Sequence, residues 1–246
     1  MRNEFSYSQE GRIACGHIER VMGTRFDMVI PDIAEAAARM IWDSMCEWLQ
    51  SSDSLLDRFN AESEVARLNA GKADSPSEAL SEWIETGEYY RKLTEGLFSV
   101  RASGCLDFGG IAKGVAVRHA KTLLQSRGVL NAYIDFGGSA ILGLGHHPYG
   151  PEWKVSVRDP FRGGVLMEAG LRDLALSTSG NTPGYSGHII NPLSGEKCVS
   201  RRLVCVTAAD PVEAEVLSTT LMIASDGQKD RLADFFPSAK VSIFEL

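Results

Sequence analysis

Residues 106–112, LDFGGIA, recur in form as residues 134–140, IDFGGSA. Each copy is predicted to be a strand that ends in Asp-Phe-Gly-Gly, with paired glycines at Gly109-Gly110 and Gly137-Gly138. Glycines after a strand permit positive φ and let backbone amides approach a ligand closely. A pair of tight turns in a duplicated scaffold would give the same pattern, so for either copy alone both interpretations stand.

The first copy leads directly into a predicted helix. Ala112, Lys113 and Gly114 open a helical stretch that extends to about Leu124. Amide donors and a lysine at the start of a helix are a common arrangement for holding phosphate. The spacing is neither that of a P-loop nor that of a GxGxxG turn after a strand. The residues therefore predict a phosphate site without assigning a nucleotide-binding class.

Apolar and polar periodicity predicts an α+β fold. Apolar residues three and four apart after Pro31-Asp32 predict one helix to about Leu49, and Ser75-Pro76-Ser77-Glu78 is interpreted as a capping box with proline at the first helical position. Residues 57–69 between them are predicted to be a polar turn. Strands are expected over 153–158, 165–171, 174–178 and 201–207, and a last helix from Asp210 to about Ile223. Helices, then strands, then a helix, without β-α-β alternation, favour α+β over a doubly wound sheet.

Composition limits the class of protein. The chain has 246 residues with no linker-like tract, so one domain over 1–246 is expected. A net charge of -7 argues against nucleic-acid binding, which needs a basic face. No apolar run is long enough to span a membrane, and the first residues lack the apolar region of a signal peptide. Five cysteines without a CxxC pair are typical of a reducing compartment, so a cytoplasmic location is expected, or a periplasmic one if a leader has been removed.

Two places in the second half carry residues suited to chemistry. Glu215 and Thr219 are four apart on the predicted last helix, and a carboxylate and a hydroxyl on one face can share a hard cation. A solvated glutamate would look the same. His188, in a glycine-flanked stretch, is suited to act as a general base or to serve a structural role. Ser179 lies in a polar stretch but lacks the GxSxG elbow of a hydrolase nucleophile.

Seven motifs in order along the chain resemble those of the ApbE family, the FAD:protein FMN transferases. The most specific is residues 107–114, DFGGIAKG, which is similar to the family's Asp-Leu-Gly-Gly-Ile-Ala-Lys-Gly. The others are Met22-Gly23-Thr24, residues 63–69 (SEVARLN), residues 135–138 (DFGG), residues 177–180 (STSG), residues 188–192 (HIINP) and residues 217–219 (LST).

The resemblance implies two related α/β halves, similar to the T-fold, with FAD in the cleft between them. It also implies cleavage of the FAD pyrophosphate, esterification of FMN to a Thr or Ser of an acceptor protein, and release of AMP. His188 would take the proton of the acceptor hydroxyl. The implied Mg²⁺ ligands are the Ala112 carbonyl, Glu215, the Ser218 carbonyl and Thr219. The implied FAD contacts are Met22, Gly23, Thr24, Glu64, Gly109, Gly110, Lys113, Gly137, Gly138, Thr178, Ser179 and Gly180.

Departures from the family pattern keep two alternatives open. Glu215 stands where the family usually has Asp, and Asn181 and Ser139 stand where Asp is frequent. The segment between Gly96 and Asp107 is much shorter than usual. An FAD pyrophosphatase that forms free FMN and AMP, and a non-catalytic flavin or nucleotide binder, are the alternatives to a transferase.

Overall fold

One antiparallel sheet of eight strands organises the residues that the computed structural model describes, 2–102 and 104–246. The strand order is β1-β2-β3-β6-β7-β10-β11-β12, and each neighbouring pair is antiparallel. The strands of this sheet are β1 Asn3–Ser8, β2 Ile13–Val21, β3 Thr24–Ile30, β6 Ala132–Phe136, β7 Ala140–Leu144, β10 Leu174–Gly180, β11 Arg202–Ala208 and β12 Lys240–Glu245. Two further pairs are β4 Arg101–Ala102 with β5 Cys105–Leu106, and β8 Trp153–Arg158 with β9 Val165–Leu171.

The helices accompany this sheet. They are α1 Glu35–Leu56, α2 Glu64–Asn69, α3 Glu78–Leu93, α4 Ala112–Ser126, α5 Pro211–Leu221 and α6 Asp226–Phe235. Helices α1, α4 and α5 pack against the strands, with α5 over β10 and β11. The main core lies between helices and sheet, where Phe26 meets Phe136 edge to face with ring centroids 5.3 Å apart.

The β8–β9 hairpin covers part of the other face of the sheet. Its Trp153 and Leu171 join Ile141 and Leu176 of the sheet in a second buried cluster. The indole nitrogen of Trp153 donates to the Leu144 carbonyl at 3.0 Å, which satisfies the one polar atom of a buried side chain. The α+β class predicted from the sequence is confirmed, whereas the division into two related halves stays a prediction.

Two local predictions are wrong. Helix α3 has Ser77 as its N-cap, because the Ser77 hydroxyl accepts from the Leu80 N–H; Ser75 is not the cap, and Pro76 precedes the helix. Residues 57–69 are not all turn, since the Ser63 hydroxyl accepts from the Ala66 N–H and caps the short helix α2.

The two Asp-Phe-Gly-Gly copies use their glycines differently. Gly137 and Gly138 have φ of 68° and 69° in the turn after β6, as predicted. Gly109 and Gly110 have no positive φ and follow a two-residue strand. A Cβ on Gly110 would lie 3.2 Å from the Phe98 ring, so close packing explains this glycine better than turn geometry.

Candidate active site

A buried ion pair joins the start of α4 to α5. The Lys113 ammonium contacts Oε1 of Glu215 directly, with 22% of the lysine side chain exposed and 3% of the glutamate. The second oxygen, Oε2 of Glu215, is buried and has no hydrogen-bond partner among the described residues. Burying a charged oxygen without a partner is costly. Oε2 of Glu215 can therefore bind a further cation or accept a further hydrogen bond.

Gly114 lets the two helices come close enough for this pair to form. A Cβ at Gly114 would lie 2.9 Å from the Pro211 carbonyl oxygen and 3.0 Å from both Val212 Cα and Glu215 Cβ. Two of these neighbours are backbone atoms, which cannot swing aside. Gly114, which the sequence places among the residues that open a helix suited to holding phosphate, thus serves helix packing.

A second ion pair holds the same helices one step further along. Both oxygens of Asp210 accept from Arg118, Oδ1 from Nε at 2.9 Å and Oδ2 from Nη2 at 2.6 Å. Asp210 also caps α5 by accepting from the Val212 N–H, and Arg118 donates to the Tyr90 hydroxyl at 2.8 Å. The sequence predicted Asp210 as a helix start but gave no sign of its partner, because the two residues are 92 positions apart.

Four hydroxyl groups cluster where β10 meets α5. Ser218 Oγ lies 3.0 Å from Ser177 Oγ and 2.8 Å from Ser179 Oγ. Ser179 Oγ lies 3.3 Å from Thr219 Oγ1. Gly110 is next to this cluster, since a Cβ there would lie 3.7 Å from Thr219 Cγ2. The structure thus brings Gly110, Ser179 and Thr219 together, and α5 carries Glu215 one turn away.

Other predicted site residues form a second group beside the first. Met22 and Gly23, with φ of 48° and 79°, turn the chain between β2 and β3, and the Met22 N–H donates to Asp53 Oδ1 at 2.9 Å. Thr24 packs against Gly137, because a Cβ on that glycine would lie 2.7 Å from Thr24 Oγ1.

This second group is joined to strand β10. The Thr178 N–H donates to the Ser139 carbonyl at 2.8 Å. The turn at Gly138 is itself fixed by its N–H, which donates to Asp135 Oδ1 at 2.6 Å. The Gly137-Gly138 turn therefore lies beside the part of β10 that carries Ser177 and Ser179.

Glu64 has a structural partner. Its carboxylate accepts from both the N–H and the hydroxyl of Ser77, the latter at 2.8 Å, so it ties α2 to the start of α3. Asn69, at the end of the same motif, exchanges two hydrogen bonds with the backbone of Leu106, at 2.7 and 2.9 Å. These contacts hold the strand that precedes Asp107. A contact of Glu64 with FAD stays a prediction.

His188 lies on the exposed loop of residues 181–200. Its ring stacks on Tyr185 with centroids 4.1 Å apart. Partial desolvation of the ring, which stays open to solvent on one side, and then the positive charge of Lys113 lower the pKa of His188 below its usual value. The imidazole is therefore neutral at pH 7, the form that can accept a proton.

Asn181 fixes this loop and is a residue whose role the sequence did not reveal. Its side-chain amide is 2% exposed, donates to the carbonyls of Cys198 and Ser200 at 3.1 and 2.8 Å, and accepts from the Gly187 N–H at 3.0 Å. An ionised carboxylate has no donor for the two carbonyls. This gives a physical reason for Asn rather than Asp at this position.

Oxygen atoms dominate the potential ligands of the site. Among residues 2–102 and 104–246 there is no cluster of three or more His, Cys, Asp or Glu residues suited to a metal. A set built from one carboxylate with hydroxyl and carbonyl oxygens remains, and such oxygens suit Mg²⁺.

No helix within residues 2–102 and 104–246 has both the length and the apolar character that a membrane crossing requires.

Fold and site together describe an α+β protein with a buried Lys–Glu pair and clustered hydroxyls beside glycine turns. The sequence model of the ApbE family matches residues 100–241. The chain therefore belongs to the ApbE family.

Individual relatives agree with this assignment. The chain is 29% identical over 194 residues to an FAD:protein FMN transferase of Rhodobacter capsulatus, which covers 76% of this chain and 34% of the relative. The chain thus spans about a third of the length of this curated relative.

Solved structures share the fold. Flavin transferase ApbE from Vibrio cholerae matches at a TM-score of 0.77 with 20% identity over 92% of each chain. The apo flavinyl transferase ApbE from Pseudomonas stutzeri matches at 0.72 with 20% identity, over 95% of this chain and 88% of that one. The ApbE protein from Thermotoga maritima matches at 0.76 with 19% identity, over 98% and 97%.

Proposed function

We propose that this protein is a magnesium-dependent FAD:protein FMN transferase. The observation that carries the proposal is the half-satisfied carboxylate of Glu215, which faces Lys113 across the α4–α5 contact. In an acidic protein, a catalytic site for a dinucleotide pyrophosphate needs added positive charge. Lys113 supplies one charge, and the unpartnered Oε2 of Glu215 would bind a metal cation that supplies more. The name of the Rhodobacter relative supports the choice of FAD and of a protein acceptor.

The residues present fit Mg²⁺. Glu215 and Thr219 would hold the ion together with the carbonyls of Ala112 and Ser218, a set of hard oxygen ligands. The buried, unpartnered Oε2 of Glu215 supports this assignment, because a cation would remove the cost of leaving it bare. When bound, Mg²⁺ neutralises pyrophosphate charge and makes the phosphorus easier to attack.

Lys113 and the glycine turns would hold FAD. The Lys113 ammonium would bind the pyrophosphate, with the backbone amide of Gly110 as a neutral donor. The Gly109 N–H donates to Asp107 Oδ1 at 2.9 Å, so its proposed contact with FAD requires that bond to open. The remaining proposed FAD contacts share the turns and strand beside the hydroxyl cluster, with Glu64 included from the motif alone. They are Met22, Gly23, Thr24, Glu64, Gly137, Gly138, Thr178, Ser179 and Gly180.

The proposed reaction is a single phosphoryl transfer. The hydroxyl oxygen of an acceptor Thr or Ser forms a bond to the phosphorus of the FMN half. The bond from that phosphorus to the bridging oxygen breaks, and AMP leaves with its electron pair. His188, neutral at pH 7, takes the hydroxyl proton as general base.

Hydrolysis is the second candidate reaction. His188 is exposed, so water has access to the same base that would serve an acceptor hydroxyl. The products would then be free FMN and AMP. The sequence also left open a non-catalytic flavin binder, for which AMP would not form.

A product analysis separates these functions. The protein is incubated with FAD, Mg²⁺ and a peptide that contains one threonine, with and without EDTA, and the products are resolved by chromatography. We expect EDTA-sensitive AMP, with flavin covalently attached to the peptide. AMP with free FMN would indicate hydrolysis instead. Intact FAD in each sample, including one with excess Mg²⁺, would contradict catalysis.

A further inference from the structure

In the first Asp-Phe-Gly-Gly copy, the aspartate binds a glycine and an arginine at the same time. Asp107 Oδ1 accepts from the Gly109 N–H at 2.9 Å. Its other oxygen, Oδ2, pairs with Arg58 Nη1 at 2.7 Å. Arg58 lies just after the end of α1 at Leu56. An ionised carboxylate accepts on both oxygens, so Asp107 orients the turn while its charge is paired.

The second copy repeats this arrangement with another arginine. Asp135 Oδ1 accepts from the Gly138 N–H at 2.6 Å, and Oδ2 pairs with Arg25 Nη2 at 2.8 Å. Arg25 lies on β3, and its backbone carbonyl accepts from the Gly137 N–H at 3.0 Å. Because the two arginines come from different elements of the fold, the repeat of the motif does not by itself account for the repeated pairing.

Arg25 also lies between two carboxylates that would repel each other. Asp27 on β3 and Asp135 on β6 are directly opposite in the register of the two strands. Like charges in opposite positions of an antiparallel pair are destabilising. The Arg25 guanidinium contacts Asp27 as well as Asp135, so it pairs with both. Asp135 therefore keeps its bond to the Gly138 N–H beside a second carboxylate.

Both aspartates lie in segments proposed to bind an anionic substrate. Asp107 is two residues before Gly109, and Asp135 is two residues before Gly137. An unpaired carboxylate a few ångström from the FAD pyrophosphate would repel it. The protein already has a net charge of -7. The site therefore uses the aspartates for the geometry of the turns, while their charge opposes FAD binding unless it is cancelled.

We propose that Arg58 and Arg25 are positioning residues for FAD, which cancel the charge of Asp107 and Asp135 while these aspartates hold the glycine turns. The effect acts through the aspartate and needs no contact between either arginine and FAD. The inference rests on the proposed transferase function. It adds two arginines that the proposed FAD contacts and Mg²⁺ ligands do not include.

Substitutions of Arg58 with a matched control test this role. Arg58→Gln leaves the charge of Asp107 unpaired and should weaken FAD binding about fivefold, the scale of one partly screened charge. Arg58→Lys keeps a positive charge and should stay within about twofold of the wild type. Arg91→Gln is the control and should leave FAD binding unchanged. Its ion pair with Glu88 on α3 has side-chain exposures of 43% and 32%, against 44% and 32% for the tested pair.

A second substitution, in the aspartate, distinguishes charge cancellation from a contribution to the fold. Asn keeps a side-chain oxygen that accepts from the glycine N–H but carries no charge. Arg58→Gln combined with Asp107→Asn should therefore restore FAD affinity to within about twofold of the wild type. Arg25→Gln combined with Asp135→Asn should recover only part of its loss, because Asp27 also loses its arginine partner.

Two measurements separate binding from turnover. FAD affinity is titrated by flavin fluorescence in EDTA, at about 0.05 M and about 0.5 M NaCl, and the loss in Arg58→Gln should shrink at the higher salt because the charge is screened. With Mg²⁺, Arg58→Gln should raise the KM for FAD in AMP release about fivefold and leave kcat unchanged. Urea unfolding verifies that each variant is folded.

The outcomes distinguish this inference from the proposed function. Unchanged FAD affinity in folded Arg58→Gln and Arg25→Gln would overturn it, as would an equal loss in Arg91→Gln. A loss that persists when Asp107→Asn is added to Arg58→Gln would also overturn it, because the arginine would then bind FAD directly or only support the fold. The expected affinities without flavin transfer to a peptide would support the inference and contradict the transferase. Wild-type protein that binds no FAD would contradict both.

Discussion

Replacing Lys113 with Met should destabilise the metal-free protein markedly. The substitution keeps the length of the side chain but leaves the carboxylate of Glu215 buried, with 3% exposure and no positive partner. Breaking a buried ion pair from one side costs about 3–5 kcal/mol. Because Lys113 is 22% exposed, water can reach part of the pair, so we expect a value near the lower end, about 3 kcal/mol.

The converse substitution should cost less. Glu215→Gln leaves a lysine that can turn toward solvent and an amide that can still accept from it, so we expect about 1 kcal/mol. The asymmetry between the two variants follows from the difference in burial of the two side chains. It does not follow from the strength of the pair itself.

Urea unfolding monitored by tryptophan fluorescence, at pH 7 with EDTA, measures both effects. For an m-value of about 3 kcal/mol/M, Lys113→Met should lower the midpoint by about 1 M. Lys154→Met, at an exposed lysine of β8, is the matched control and should change the midpoint little. Equal midpoints for Lys113→Met and the control would refute the buried pair as described. A larger loss for Glu215→Gln than for Lys113→Met would refute the burial argument.

Three further outcomes follow from the same contacts. Gly114→Ala should cost about 2 kcal/mol in urea unfolding, because its Cβ would meet the Pro211 carbonyl at 2.9 Å; equal stability would show that α4 and α5 can separate freely. Arg118→Gln should lower the free energy of unfolding by about 1 kcal/mol, because the ion pair with Asp210 is partly exposed. An unchanged urea midpoint would contradict the conclusion that this pair holds α4 against α5. In a pH–rate profile of flavin transfer, the midpoint of the fall toward acid should lie below pH 6.5, because burial and Lys113 disfavour protonated His188; a midpoint above pH 6.5 would contradict this.

Much of the fold could be predicted where one physical signal dominates. Strands β8 and β9 have the predicted bounds. For β8 the reason is clear: one face is buried and the other exposed, so apolar and polar residues alternate along the strand. The start of α5 could also be predicted, since Asp210 caps the helix through a neighbour two positions away.

Signals that depend on distant residues could not be predicted. Ser77 caps α3 locally through the Leu80 N–H, but its bonds to Glu64, 13 positions earlier, gave no sign in the sequence. The polar composition of residues 57–69 concealed α2, although Ser63 ahead of it was a readable cap.

In the candidate site, too, local signals could be predicted from the sequence and contacts between distant residues could not. The four-residue spacing of Glu215 and Thr219 indicated a shared helix face, and both lie on α5. The Lys113 partner of Glu215 is 102 positions away, and its contact depends on the absence of a side chain at Gly114. Pairing across helices therefore requires the structure, whereas capping and periodicity do not.

The most direct test of the proposed site is AMP release from FAD by the wild type, Glu215→Gln and Glu213→Gln, each with Mg²⁺ and with EDTA. Glu213 lies on the same helix and is the matched control for a lost carboxylate. We predict Mg²⁺-dependent release of AMP by the wild type and by Glu213→Gln. Glu215→Gln should release at most a small fraction of the wild-type amount. AMP release that is equal in all three, or that persists in EDTA, would contradict a magnesium site built on Glu215.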